Sequence, residues 1–273
     1  MGATKIEFRL RMAIMVAIIT VSYWAPWIEP WGIGSRVSLL GWLAHGLSSL
    51  GLVSFTIAAP LVIVLAALIA AVAAALRVWG TAYLGPFTVN NLRLKAGAVL
   101  ADGPYRFVRN PLYLGSWCMF AAMSFLMPVS GALFAMALLT AFLLRLILAE
   151  EAFLTSQLGE TYLSYMHTVP RLLPRLRNSP APTGPKTGNV GSSGHKPQWT
   201  RAAKPQWTRA AKPQWLRAIL AELCPIGVFL TLTFFSWSYD NWLMIRGVLI
   251  SFGVSLVARA LLVGRGREFS SPE

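Results

Sequence analysis

Long apolar runs set the pattern of the chain, and short polar clusters punctuate them. Met12 to Ile28 is apolar, with Lys5, Arg9 and Arg11 before it and Trp24, Trp27 and Trp31 around its far edge. About 20 apolar residues cross a bilayer, and tryptophan favours the headgroup level, so this run predicts a first span ending in an aromatic belt. Pro26, Trp27 and Pro30 stand where a signal peptide would carry small residues, which argues against cleavage there. Leu39 to Ala59 is apolar but interrupted by His45, Gly46, Ser48, Ser49 and Gly51, whereas Pro60 to Val78 reads as an unbroken span. Leu112 to Met127 and Val129 to Leu148 meet at Pro128, beside Ser130 and Gly131, and predict a tight helical hairpin. Ile219 to Trp237 and Leu243 to Val263 predict a second hairpin, turning through Tyr239, Asp240, Asn241 and Trp242.

The basic residues decide how these segments thread the membrane. If Leu39–Ala59 stays on one side, then Arg77, Arg93, Lys95, Arg106 and Arg109 share a side with the basic N-terminus. Arg259, Arg265 and Arg267 join them, and only Arg36 and Arg246 fall opposite. Lys and Arg concentrate in cytoplasmic loops. The expectation is therefore an all-α polytopic membrane protein of an inner or plasma membrane. It has about six transmembrane helices, both termini cytoplasmic, and Leu39–Ala59 as a re-entrant or interfacial helix.

Composition agrees. The 273 residues are 56% hydrophobic and 12% charged, against about 25% charged in a soluble domain, so a soluble enzyme is not expected. Two cysteines, Cys118 and Cys224, exclude a disulfide framework, and the scattered His45, His167 and His195 give no metal-ligand spacing, so no metal site is expected.

The net charge of +14 is concentrated in one place. Ten of the basic residues lie between 171 and 217, a stretch without acids. Within it runs a tandem repeat: KPQWTRAA from Lys196, again from Lys204, then KPQWLRAI from Lys212. The Pro, Gly, Ser and Thr residues before it cannot bury a core, so this part reads as a flexible tether. A nucleic-acid role is not expected; Lys and Arg beside Trp suit anionic lipid headgroups. Four regions result: 1–60, a span and an interfacial helix; 61–175, a core; 176–216, the basic linker; 217–273, a C-terminal hairpin.

The polar chemistry lies between Arg77 and Pro174. Gly103-Pro104 fits a turn, Asn110 suits a helix N-cap, and Pro111 suits the first helical turn. A helix start with free N–H groups, beside Arg106 and Arg109, favours an anion. Glu150 and Glu151 form an acidic pair in a chain of only ten acids, at the expected membrane boundary. Leu154, Leu158, Tyr162 and Tyr165 continue at helical spacing until Val169-Pro170, with Arg171 next. Arg145 lies inside an apolar run, which is costly unless it is paired or reaches the interface. Together these residues offer carboxylates for a cation, arginines for an anion, and aromatic rings for a flat group.

GPYRFVRNPLYLG at 103–115 and EE…L…LG…Y…Y…VPRLLP at 150–174 resemble the motifs of the isoprenylcysteine carboxyl methyltransferase and phospholipid methyltransferase superfamily. The resemblance covers residues 76–175. It implies an integral membrane enzyme that uses S-adenosylmethionine at a cytoplasmic-face pocket and takes a lipophilic substrate from the bilayer. Carried over by position, it implies that Tyr105, Arg109, Asn110, Pro111, Tyr113 and Gly115 line the cofactor site. Glu150 and Glu151 would hold the cofactor or order the pocket, and Tyr162, Tyr165 and Arg171 would close it towards the acceptor, with Glu150, Glu151 and Arg171 as the catalytic set. The family usually has His where this chain has Asn110, and an amide supplies one hydrogen bond but no proton relay.

Two other readings stay open: an NADPH-dependent membrane reductase of the sterol-reductase type, and a non-catalytic membrane protein whose basic tether binds lipid. The tether itself is testable. A peptide spanning 176–216 should bind anionic liposomes with an affinity that falls as salt rises. Absence of binding at low salt would remove the headgroup role.

Overall fold

The structure, a computed structural model, describes residues 2–23, 37–51, 53–85, 101–174, 213–234, 238 and 240–268. The basic stretch at 175–212, with the first two repeat units, and the aromatic belt at Trp24, Trp27 and Trp31 lie outside the described residues. Helices dominate what is described: α1 (Lys5–Arg9), α2 (Arg11–Tyr23), α3 (Leu39–Ser49), α4 (Phe55–Leu84), a 3-10 turn (Gly103–Arg106), α5 (Pro111–Ser124), α6 (Val129–Leu158), α7 (Glu160–Thr168), α8 (Trp215–Ala221), α9 (Leu223–Phe234) and α10 (Asn241–Glu268).

Several boundaries depart from the sequence expectation, each for a local reason. Leu39–Ala59 is not one helix: the chain leaves α3 at Leu50, turns through Gly51 at φ +70°, and starts α4 at Phe55. Gly tolerates that left-handed backbone without a Cβ clash. The amphipathic stretch after Glu151 is also two helices, because Gly159 at φ +54° separates α6 from α7. The expected span Ile219–Trp237 is bent by 69° between α8 and α9, at Glu222. The third repeat unit is partly helical, since α8 begins at its Trp215.

Two helices, Phe55–Leu84 and Val129–Leu158, are long and apolar enough to cross a membrane, and the bent α8–α9 pair makes a third if it is one span. Thirty residues reach about 45 Å, beyond the ~30 Å of a hydrocarbon core. On α4 the outward residues Leu61, Val64, Leu65, Leu68 and Val72 are exposed, while Ala58, Ala66, Ala70 and Ala73 are buried. The larger apolar side chains thus form the outer face and the small ones the packing face, as in membrane bundles.

The seam between α4 and α5 depends on close approach. A Cβ on Gly115 would lie 2.6 Å from Arg77 Cγ and 3.2 Å from the Ala73 carbonyl oxygen. On the other side of α5 and α6 the core fills with Met119, Met123, Leu126, Leu139 and Leu146.

The ends of the bundle differ. At one end the Leu39 and Leu40 amides donate to the carbonyls of Met127 (2.8 Å) and Phe125 (3.0 Å), and Gly131 packs on the Ser22 carbonyl. At the other end the Ala3 amide donates to the Arg145 carbonyl at 3.0 Å, and Gly80 of α4 packs on Leu112 of α5. The chain therefore passes between the ends along α2, α4, α5 and α6, and α3 starts at the Pro128 end where α2 finishes. The ion pairs among the described residues all lie towards the opposite end. Arg145 is one of them, paired with Glu7 at 3.0 Å.

Gly131 tests the seat of α2. A Cβ there meets the Ser22 carbonyl, which is backbone and cannot swing aside. Gly131→Ala should lower stability by about 1–3 kcal/mol, read as a reduced Tm in detergent. An unchanged Tm would mean that α2 does not pack there.

Candidate functional site

The site forms where the 3-10 turn, the first turn of α5, the end of α6, α7 and the segment after α7 meet. Gly103 enters the 3-10 turn at φ +58°, and a Cβ on it would lie 2.8 Å from the Tyr83 ring. That turn buries Pro104 and Tyr105. Pro111 then opens α5, where its missing N–H is not needed.

Asn110 stands at the N-cap position, but its side chain makes no capping hydrogen bond. This corrects the capping role expected of it. Its Nδ2 donates instead to Glu151 Oε1 at 3.4 Å and to the Arg171 carbonyl at 3.3 Å. The amide thus ties α5 to both α6 and the segment after α7.

Glu151 is the centre of this arrangement. Its side chain is only 5% exposed, and Arg171 reaches it through Nε and Nη2, the latter at 2.8 Å. Arg109 Nη1 lies 3.1 Å from Oε1. That ion pair holds Nη1 without aligning it as a hydrogen bond, and Arg109 Nε is a buried donor without a hydrogen-bond partner among the described residues. A backbone bond from the Arg109 amide to the Pro170 carbonyl, 2.8 Å, locks the two segments together. Pro170 breaks α7 after Val169 and so turns Arg171 back towards Glu151.

Glu150 points elsewhere, because adjacent residues on a helix are about 100° apart. Its carboxylate interacts with the Tyr113 phenol and lies within electrostatic reach of Arg11. The acidic pair is therefore divided between two environments. Arg106 is exposed and makes no ion pair with either acid.

The aromatic residues line the same region. Tyr162 and Tyr165 are buried with Val169, their ring centroids 5.8 Å apart. Tyr165 donates its hydroxyl to the Tyr105 carbonyl at 2.8 Å, whereas the Tyr105 hydroxyl is buried without a partner. Burial pushes the Tyr105, Tyr162 and Tyr165 phenols above their ordinary range, with neighbouring phenols or carboxylates adding to the rise. They are neutral donors at physiological pH.

Gly115 is buried in the α4–α5 seam against Arg77, one turn from the site residues of α5. Arg77 was missed as part of any pair by sequence reading, as was its partner Glu222. Arg77 Nε lies 2.6 Å from Glu222 Oε2, and Glu222 is fully buried. A signal was present: an acid inside the apolar run 219–237 demands a partner, by the reasoning applied to Arg145.

The raised phenols give a pH prediction. Above pH 10 the unfolded chain loses these protons while the folded chain keeps them, so stability falls as pH rises. Tyr105, Tyr162 and Tyr165 should give no tyrosinate absorbance until the protein unfolds in alkali. Replacing each with Phe should leave the earlier part of the titration unchanged. Loss of an early-titrating signal in any of these variants would contradict the burial.

Residues 53–161 match the family model described as Phospholipid methyltransferase. No curated protein and no solved structure matches the chain. The matched segment contains α4, the 103–115 motif and the Glu150–Glu151 pair, whereas Tyr162, Tyr165, Arg171 and Glu222 lie beyond it. Residues 53–161 of this chain, less than half of its length, are thus similar to the phospholipid methyltransferase family.

Proposed function

We propose that the chain is an integral membrane methyltransferase that uses S-adenosylmethionine to methylate a lipophilic acceptor drawn from the bilayer. The observation that carries this reading is the convergence of the two separated motifs, with unsatisfied buried donors on Arg109 and Tyr105 beside two carboxylates. Buried polar groups without partners are rare unless a ligand or water completes them. The donors of Arg109 suit a carboxylate, Glu150 with Tyr113 suits an ammonium group, and the rings of Tyr105, Tyr162 and Tyr165 suit a flat heterocycle or a sulfonium. The donor set therefore fits the cofactor.

When bound, S-adenosylmethionine supplies an electrophilic methyl group. The residues of this chain then contribute chiefly by orientation and exclusion of water. Glu151 and Arg171, expected in the sequence reading to act on the reacting groups, hold Arg109 and Asn110 in register. Glu150 is not shared between two arginines, so it is the carboxylate that takes a proton if the acceptor is an amine or a phenol. A carboxylate or thiolate acceptor needs no such base. Asn110 contributes a hydrogen bond where the family's His would also offer charge.

The proposal includes the threading argued from charge: six crossings, with the site and both termini cytoplasmic. The basic linker then meets anionic headgroups on that same side. The collection of Arg77, Arg109, Arg145 and Arg171 at one end of the bundle supports this orientation.

Thermal shift in detergent tests the cofactor. A ligand at 100 times its Kd stabilises by about 2.7 kcal/mol, so S-adenosylmethionine should raise Tm and NADPH should not. Glu151→Gln should weaken binding roughly tenfold or more by releasing both arginines. Glu150→Gln should leave the Tm of the ligand-free protein near wild type, weaken S-adenosylmethionine binding and reduce transfer of labelled methyl to a membrane lipid extract. A shift with NADPH alone would select the reductase reading. No response to either would select the non-catalytic one.

A further inference from the structure

The C-terminal hairpin lies outside the family-matched segment, yet it reaches the site by two independent routes. The first runs through Glu222, at the bend between α8 and α9. Its carboxylate receives Arg77 Nε at 2.6 Å, Arg77 Nη2 at 3.1 Å and Thr81 Oγ1 at 2.7 Å. Arg77 Nη1 then donates to Ser116 Oγ and, at 3.4 Å, to the Leu112 carbonyl. Leu112 and Ser116 flank Tyr113 on the first turns of α5, directly after Asn110. The stem of Arg77 also fills the space that a side chain on Gly115 would need.

The second route runs through Trp215 of α8. Its ring meets Tyr83 edge-on, with centroids 6.4 Å apart, and the Gln214 backbone N–H donates to the Ala82 carbonyl at 3.0 Å. The Tyr83 ring also lies against Gly103, which opens the turn carrying Tyr105. The hairpin thus braces both the 3-10 turn and the start of α5, the elements that present Tyr105, Arg109, Asn110 and Tyr113.

We propose that Glu222 is a positioning residue for the methyl-transfer site, acting through Arg77 to fix the first turns of α5, and that the hairpin completes the site rather than only anchoring the chain. The proposal rests on the methyltransferase reading for its functional consequence but not for its structural one. A buried ion pair can be replaced by apolar groups of similar volume without loss of stability, whereas removal of one partner leaves an uncompensated charge. This difference separates a positioning role from simple support.

The full-length protein in detergent is compared as wild type, Glu222→Gln, Trp215→Ala, and the double variant Arg77→Met with Glu222→Leu. Hydrogen–deuterium exchange is followed over 103–116, and S-adenosylmethionine affinity and Tm are measured. Glu222→Gln should increase exchange over 112–116, and Trp215→Ala over 103–107. The double variant should recover Tm but keep fast exchange at 112–116 and an affinity weakened roughly tenfold or more. Recovery of exchange protection and affinity together with Tm would overturn the proposal, as would wild-type exchange over 112–116 in Glu222→Gln. Should the single variants fail to fold, the double variant alone decides. Faster exchange in the variants with no cofactor binding even by wild type would uphold the positioning and reject the methyltransferase reading.

Discussion

The buried carboxylate of Glu151 is the constraint on which the site depends. A charge removed from water must be compensated nearly completely, and here the compensation comes from segments far apart in sequence. Arg109 approaches from the 3-10 loop, Asn110 from the start of α5, and Arg171 from beyond α7. The Arg109 amide to Pro170 carbonyl bond adds a backbone link in the same place. Because each partner is needed to neutralise or saturate one carboxylate, the elements cannot drift apart without exposing charge to an apolar interior. The same geometry leaves Arg109 Nε and the Tyr105 hydroxyl without hydrogen-bond partners among the described residues.

Around this node the helix packing follows from side-chain size. Alanines on α4 and Gly115 on α5 bring two backbones close, and the larger apolar residues of α4 face outward. Without a hydrophobic drive between helices in lipid, such contacts and interhelical polar bonds supply the specificity. The Arg77–Glu222–Thr81 cluster is the second polar fastening, and it joins the C-terminal hairpin to the α4–α5 seam. Two buried charge clusters, Arg77–Glu222–Thr81 and Arg109–Glu151–Arg171, therefore both bond to the start of α5, through Leu112 and Ser116 and through Asn110. The division of the Glu150–Glu151 pair follows from helix geometry alone, since neighbouring positions face different partners.

Much of this was legible in the sequence. The apolar runs located α4, the α5–α6 hairpin and the C-terminal helices, because a long apolar segment has few alternatives to a helix in lipid. The charge distribution separated the two ends of the bundle, and the scarcity of acids pointed to Glu150 and Glu151. Gly103-Pro104 and Pro111 announced a turn and a helix start through backbone restrictions that act locally. The pairing demand on Arg145 was also legible, and the partner turned out to be Glu7 in the N-terminal capping box.

Other features depended on tertiary contacts. Asn110 has a good capping side chain, yet a buried carboxylate and a free carbonyl nearby compete for its amide, and a cap can be satisfied in other ways. The breaks at Gly51, Gly159 and Glu222 interrupt apolar or amphipathic periodicity that reads as continuous along the chain. Glu222 marked itself as anomalous in an apolar run, but only packing supplies Arg77, 145 residues away, as its partner. The sequence by itself determined a helical membrane chain with a polar block at one end, because hydrophobicity and backbone propensity act over one or two turns. Which charges meet was decided by the tertiary structure, because ion pairing in a dry interior depends on distances in space that sequence separation does not encode.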